Sequence, residues 1–271
     1  MKINTKEVHN SEIVHFADRD LLITSIGNVV RVCADKLVFE IIIPLSFVKK
    51  VLCRYRFVRR LLRLDKMNVT VADKQSISLF IIYQGLIFNY IKGGKLLPIF
   101  KLKHGRNVLH NSIAIIPSDS IIFGEYFGNN AGLPVNIYKI DFLTMKCRRV
   151  YTFPAKAIRH VHSCCYDKFE KKIWVFTGDY DGECKVLVSD LDFKNVSILG
   201  DGTQTWRAVS AFFTKEYVYW IMDSPLETSH LVKFNRKLKE IDVGHSFPGP
   251  VYYSVSLSDG KYLVATTYEP G

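Results

Sequence analysis

No Cys-x-x-Cys spacing occurs in this chain, and its six cysteines (Cys33, Cys53, Cys147, Cys164, Cys165 and Cys184) are scattered over 271 residues. That excludes a zinc ribbon and a disulfide-dense scaffold, and it predicts free thiols in a reducing compartment. Long apolar runs are missing too. The longest, residues 76–91, is interrupted by Gln84 and Gly85 and is too short to span a membrane as a helix. The first seven residues carry charges where a secretory signal needs an apolar core, so no leader is read and a cytoplasmic location is expected. Capped stretches of helical period are nearly absent. Acids are scarce at the start: residues 1–106 hold 19 Lys and Arg against 8 Asp and Glu, whereas residues 107–271 hold 18 of each. The whole excess of +11 therefore lies in the first third. It suits either an anionic partner or a solvated rim.

What is present is apolar, aromatic and β-branched. An apolar share of 48% with 13% aromatics provides for a full core and excludes a disordered chain. Val, Ile, Tyr, Phe and Thr suit pleated sheets. Turn signals recur every ten residues or so, which predicts an all-β sandwich, barrel or propeller. Residues 1–18 read as a polar lead-in, followed by strands at 21–25, 28–33 and 37–43. Residues 51–57 alternate, with Cys53, Tyr55 and Phe57 on one strand face and Arg54 and Arg56 on the other. A basic amphipathic helix over 51–64 competes with that reading. As a functional surface the segment would meet an anionic ligand or membrane; otherwise it is a sheet edge protected by charge.

A repeat becomes legible from residue 110. Ser112, Ser163, Ser210 and Ser254 each stand early in an apolar run. Glu125, Asp179, Asp223 and Glu269 each close the run that follows, 13, 16, 13 and 15 residues later. Two further strands separate consecutive pairs. Four strands in about 45 residues is the size of a propeller blade. The expected fold is thus a single all-β propeller of four-stranded antiparallel blades, six or seven in number, whose last blade is either completed by the N-terminal strands or truncated at the C-terminus. The blades are placed at 20–48, 51–103, 107–155, 159–199, 206–245 and, in part, 250–271.

In a propeller the start of each innermost strand and the end of the next share one face. His110, Arg159, His160, His162, Gln204, Trp206 and Arg207 would gather there with Glu125, Asp179, Asp223 and Glu269. Asp179, with Glu125 or Asp223, is the expected acid and base for a glycosidic bond. Arg159 and Arg207 would grip a sugar carboxylate. His110, His160, His162, Gln204, Trp206 and Glu269 complete the expected binding set, with Trp206 as the stacking platform. No cofactor is required, although the histidines could hold a divalent metal for a lyase. A strand-ending carboxylate also caps turns, and Arg159 and Arg207 could simply pair with Asp179 and Asp223.

Several stretches carry a family resemblance: Gly124-Glu125-Tyr126-Phe127-Gly128-Asn129, Arg159-His160-Val161-His162, Thr177-Gly178-Asp179, Gly202-Thr203-Gln204-Thr205-Trp206-Arg207 and Tyr219-Trp220-Ile221-Met222-Asp223. Over residues 100–271 the chain resembles a bacterial group of sialidase-like propellers, described as glycosyl hydrolases or BNR/Asp-box repeat proteins. The resemblance implies a propeller and a carbohydrate context. Ser189-Asp190-Leu191-Asp192-Phe193-Lys194-Asn195-Val196 lacks the Gly and Trp of an Asp-box. The arginine triad and Tyr–Glu pair of true sialidases find no residue-by-residue match, so only the scaffold carries over. The expected partner is an acidic oligo- or polysaccharide, acted on by a monomer that neither binds nucleic acid nor spans a membrane. A metal-dependent polysaccharide lyase and a non-catalytic glycan- or protein-binding propeller are the alternatives.

Overall fold

The computed structural model describes residues 11–34, 37–109, 112–257 and 260–267. The chain divides into two compact units, Met1–Asn107 and Val108–Gly271.

In the first unit, β1 (Ile13–Ala17), β2 (Leu21–Ile26), β3 (Val29–Ala34) and β4 (Leu37–Ile42) form one antiparallel sheet in chain order. The supposed lead-in therefore contains a strand. His15 supplies its anchor, with Nε2 at 2.8 Å from the Ser25 hydroxyl. A second sheet follows in the same order: β5 (Met67–Asp73), β6 (Ser78–Tyr83), β7 (Leu86–Ile91) and β8 (Leu97–Lys101). Gln84 and Gly85 join β6 to β7 with φ of 51° and 81°. Two positive φ values in a two-residue loop match the right-handed twist of the strands it joins. Ile23, Val30 and Val32 of the first sheet pack with Val69, Leu79 and Ile81 of the second in one core.

The strand expected at 51–57 is absent. Two short helices stand in its place, α1 (Phe47–Leu52) and α2 (Arg56–Leu61). The helical alternative holds in part, since the single helix expected over 51–64 is broken at residues 53–55, and on α2 Arg59 turns inward. Its guanidinium donates to Glu12 at 2.6 and 3.0 Å and to the Cys53 carbonyl at 2.5 Å. That inward ion pair fixes a helical face which strand alternation does not anticipate.

The second unit repeats the four-stranded plan three times. The sheets are β9 (Ala114–Ile116), β10 (Ser120–Gly124), β11 (Val135–Asp141) and β12 (Cys147–Phe153); β13 (His160–Asp167), β14 (Lys172–Gly178), β15 (Cys184–Ser189) and β16 (Val196–Gly202); and β17 (Phe212–Phe213), β18 (Tyr217–Ile221), β19 (Ser229–Asn235) and β20 (Glu240–Phe247). A two-stranded sheet, β21 (Val251–Ser256) and β22 (Tyr262–Thr266), follows. Among the described residues the whole chain thus holds five four-stranded sheets and one two-stranded sheet.

Middle strands such as β11 and β14 are almost wholly buried, and β14 packs one face on β9–β12 and the other on β17–β20. Fourth strands are exposed and charged, with Arg148 and Arg149 on β12 and Glu240 and Asp242 on β20. Charge on an outer edge blocks pairing with another chain. One core joins the sheets of β9–β12 and β13–β16 through Ile122, Ile137, Val161 and Val175. Another joins β13–β16 to β17–β20 through Trp174, Phe176, Val218 and Trp220. Close approach of the first pair requires Gly124, because a Cβ there would lie 2.4 Å from the Val161 Cβ. Of the repeated serines, Ser112 and Ser163 are buried, and the half-buried Ser254 and Ser210 have their hydroxyls 2.8 Å apart. The second pair is also clamped by charge: Arg236 Nη1 lies 2.5 Å from Asp167 Oδ2, with both side chains buried.

Candidate functional site

The site forms where β13 begins and β14 ends, since antiparallel pairing sets His160 opposite Gly178. Residues two apart on a strand share a face. A register shift between Val161 and Ser163 makes His162 the extra residue of a bulge, which turns its ring toward Asp179. Gly178 leaves room for the ring. A Cβ at that position would meet His162 Cε1 at 3.0 Å and Arg207 Cγ at 3.4 Å. A 3-10 turn at Gln204–Trp206 delivers Arg207 from the next sheet.

Asp179 is the hub. His162 Nε2 lies 3.0 Å and His160 Nε2 3.3 Å from its Oδ1. Arg207 Nη2 stands 3.4 Å from the same oxygen, and Arg159 Nε stands 3.6 Å from Oδ2. Arg207 also donates to the Asp179 backbone carbonyl at 2.9 Å, which fixes the chain as well as the carboxylate. Asp223 closes the far side, with Oδ2 at 3.7 Å from both His162 Nδ1 and Arg207 Nε. Arg159 lies over the Tyr180 ring and donates to its hydroxyl at 2.9 Å. Tyr126 packs against His160, with ring centroids 4.2 Å apart.

Protonation follows from burial and charge. Burial pushes the Asp179 carboxyl up, but the hydrogen bonds and charges of His160 and His162 outweigh it and hold the group well below the usual carboxylate range. Asp179 is therefore an anion. Complete burial pushes His162 down to about 4, against the opposing pull of Asp179, so its ring is neutral near pH 7. A neutral ring that donates Nε2–H to Asp179 leaves Nδ1 as a bare lone pair. Burial and the charges of Asp179 and Asp223 raise Tyr126, keeping its hydroxyl protonated.

These groups border a cavity of about 240 Å³ lined by Tyr126, His162, Asp179, Arg207, Asp223 and the pair Tyr252–Tyr253, among others. His162 Nδ1 and Arg207 Nε are buried, and neither has a hydrogen-bond partner among the described residues. Buried polar atoms are nearly always satisfied in folded proteins, so two unsatisfied ones at a cavity wall mark a place for a ligand atom.

His160, His162 and Asp179 could also be asked to hold a metal, since one donor atom from each lies within 4.8 Å of the others. His160 Nδ1 is 3.1 Å from the Phe127 carbonyl, an outer bond typical of metal-bound imidazoles. The charge around the group argues the other way. Two guanidiniums already crowd Asp179, and a divalent cation would be repelled by both. The donors fit a metal and the electrostatics do not.

Of the expected site residues, the structure brings Arg159, His160, His162, Asp179, Arg207 and Asp223 together. Glu125 is used otherwise. It is fully buried and accepts hydrogen bonds from the Asn136 backbone and side-chain amides, both at 2.9 Å, and from the Tyr138 hydroxyl at 3.1 Å. Gln204 is a positioning residue: it donates to the Asp179 carbonyl and to Asp181, and it accepts from Ser224. The stacking platform expected at Trp206 is corrected. Its ring lies in the core against Trp220, over Gly200, where a Cβ would come within 2.4 Å of the indole. His110 and Glu269 lie outside the described residues. Sequence reasoning did not select Tyr126, Tyr252 or Tyr253. Tyr126 had one visible signal, its place directly after a strand-ending acid.

No family model and no curated protein matches the sequence. Among solved structures the chain is similar to one in a nidogen/laminin complex, with 8% identity, a TM-score of 0.46, and coverage of 64% of this chain and 63% of that one. It is also similar to the tricorn protease, with 10% identity, a TM-score of 0.46, and coverage of 90% of this chain and 23% of that one. The chain spans less than two thirds of either neighbour.

Proposed function

We propose that the repeated sheets are blades of a β-propeller, and that the pocket around His162 binds the carboxylate of an acidic sugar and cleaves the glycan by β-elimination. The observation that carries this reading is the pair of buried, unsatisfied atoms at the cavity wall, the Arg207 Nε–H donor and the His162 Nδ1 lone pair. A uronate carboxylate accepting from Arg207 would have its charge damped, which acidifies the adjacent C–H. The same anion would raise the proton affinity of His162, so the base strengthens when substrate arrives. His162 Nδ1 would take the proton, and Tyr126, kept protonated, would donate to the leaving oxygen. Asp179 orients both imidazoles and remains ionised.

That last point separates elimination from the hydrolysis expected of the resemblance. A glycosidase of that type needs a carboxylic acid that holds a proton. Asp179 is held ionised and Glu125 is committed to β11, which leaves Asp223 as the expected acid that hydrolysis could still use. Binding without chemistry is the second reading, favoured because Arg159 and Arg207 already face an internal carboxylate.

Mass spectrometry of acidic oligosaccharides incubated with the chain tests all three. Unsaturated fragments without added water are expected, and they should vanish in His162→Ala. Fragments with added water would restore hydrolysis. Saturable binding without fragments would leave a lectin-like propeller.

A further inference from the structure

The first unit carries a surface that the pocket chemistry does not use. Between Glu40 and Asp73 the only acid is Asp65, while Lys49, Lys50, Arg54, Arg56, Arg60 and Arg63 are all exposed. Large apolar side chains are exposed among them: Phe47 at 81%, Phe57 at 77%, Leu61 at 69%, Val48 at 66% and Tyr55 at 62%. Few folded proteins leave two phenylalanines this bare within eleven residues, and an exposed apolar cluster marks an interaction site.

The exposure is built into the fold. Cys53 and Leu64 are buried at the base of the two helices, and the Tyr83 hydroxyl donates to the Leu64 carbonyl at 2.8 Å. Arg59 is locked to Glu12, both side chains being less than a tenth exposed. On α2 the positions of Phe57 and Leu61, four apart, fall on one face, with Arg56 and Arg60 flanking it and Arg59 turned away. The inward Arg59 thus fixes which face points out.

We propose that the α1–α2 hairpin is a docking surface for an anionic lipid bilayer. Charge complementarity selects the sign of the partner. Each cation near such a surface adds to the attraction. The interleaved apolar side chains select lipid over nucleic acid, since they would enter the acyl boundary and have no role against a phosphate backbone. Apolar insertion plus a polybasic patch is the two-signal arrangement that gives stable, reversible membrane binding. No described helix is long and apolar enough to cross a membrane, so the docking is peripheral with respect to these helices.

The test is flotation of the full chain with vesicles of phosphatidylcholine, with and without phosphatidylserine. Flotation is expected only with phosphatidylserine, and it should weaken as salt rises. Replacing Arg54, Arg56 and Arg60 by Gln should weaken it about a hundredfold. Phe57→Ser with Leu61→Ser should weaken it more than tenfold while leaving thermal unfolding unchanged. Equal flotation with both vesicle types, or indifference to the apolar pair, would overturn the proposal. So would tight oligonucleotide binding without flotation, which reassigns the patch to nucleic acid. A dimer that becomes a monomer on Phe57→Ser, again without flotation, would assign the patch to a second copy of the chain.

Discussion

Two aspartates of the second unit, Asp167 and Asp179, both face arginine across neighbouring sheets, and they are built in opposite ways. Asp167 is fully buried, meets Arg236 at 2.5 Å and accepts the Phe169 amide at 3.0 Å. Its partner is spoken for as well: the Arg236 Nε and Nη2 donate to the Thr214 carbonyl at 3.1 and 2.9 Å. Asp179 is about a quarter exposed and its carboxylate faces four basic side chains at 3.0 to 3.6 Å, with His162 the nearest. The first arrangement is closed and has nothing left to offer. The second is crowded with donors that one carboxylate cannot satisfy, and a cavity opens beside it. The difference between a strut and a site lies in unspent hydrogen-bonding capacity, not in the residue types.

The largest effect should come from breaking the strut. Asp167→Asn leaves the buried Arg236 with only the part-exposed Glu170 carboxylate, 3.4 Å from its Nη1, and should cost about 3 kcal/mol in urea unfolding. If ligand binding persists in the folded fraction, the two aspartates are separable as claimed. Acid should act on the site next. The unfolded His162 ring takes a proton near 6.5 and the folded ring only near 4, so between these values the unfolded chain holds more protons. This contribution is full above pH 6.5 and is lost as pH falls toward 4, by on the order of 3 kcal/mol. Asp179, lowered below its ordinary 3.8, adds a further loss only under more acid conditions. In His162→Phe the decline in melting temperature between pH 6.5 and 4 should flatten.

Asp179→Asn should be milder in stability, about 1–3 kcal/mol, because Asp179 itself is about a quarter exposed and the asparagine oxygen can still accept from His162. It should nonetheless abolish ligand binding, measured by calorimetry, and so reverse the ranking of the two aspartates. The smallest expected effect is that of Gly178→Ala, about 1 kcal/mol, as the new methyl presses on His162 and Arg207. Its signature is a weaker site in a protein whose Arg236 clamp is intact.

Much of this architecture was legible in the sequence. The periodic Ser and acid positions bracketed the first two strands of the sheets β9–β12, β13–β16 and β17–β20, because period-two alternation and turn residues are local signals. The convergence of Arg159, His160, His162 and Asp179 was legible too, since an antiparallel hairpin sets the start of one strand beside the end of the next. Non-local choices were not. Arg59 turns a basic stretch helical through Glu12, 47 residues away, and no window around residue 59 contains that partner. Glu125 and Asp179 look alike at strand ends, yet Asn136 and Tyr138 claim one while basic groups surround the other. Trp206 reads as a platform until Gly200 in the adjacent strand makes room for its ring.

The sheet order bears on the kinetics of folding. Among the described residues, each strand within a sheet pairs only with the strand before or after it in the chain. Hairpins of this kind close in microseconds, and loop-closure entropy stays small because the ends to be joined are near in sequence. An all-β chain wired this way escapes much of the slowness that distant strand pairing imposes. Each four-stranded sheet, from 30 residues for β1–β4 to 43 for β13–β16, can assemble as soon as its own strands have left the ribosome.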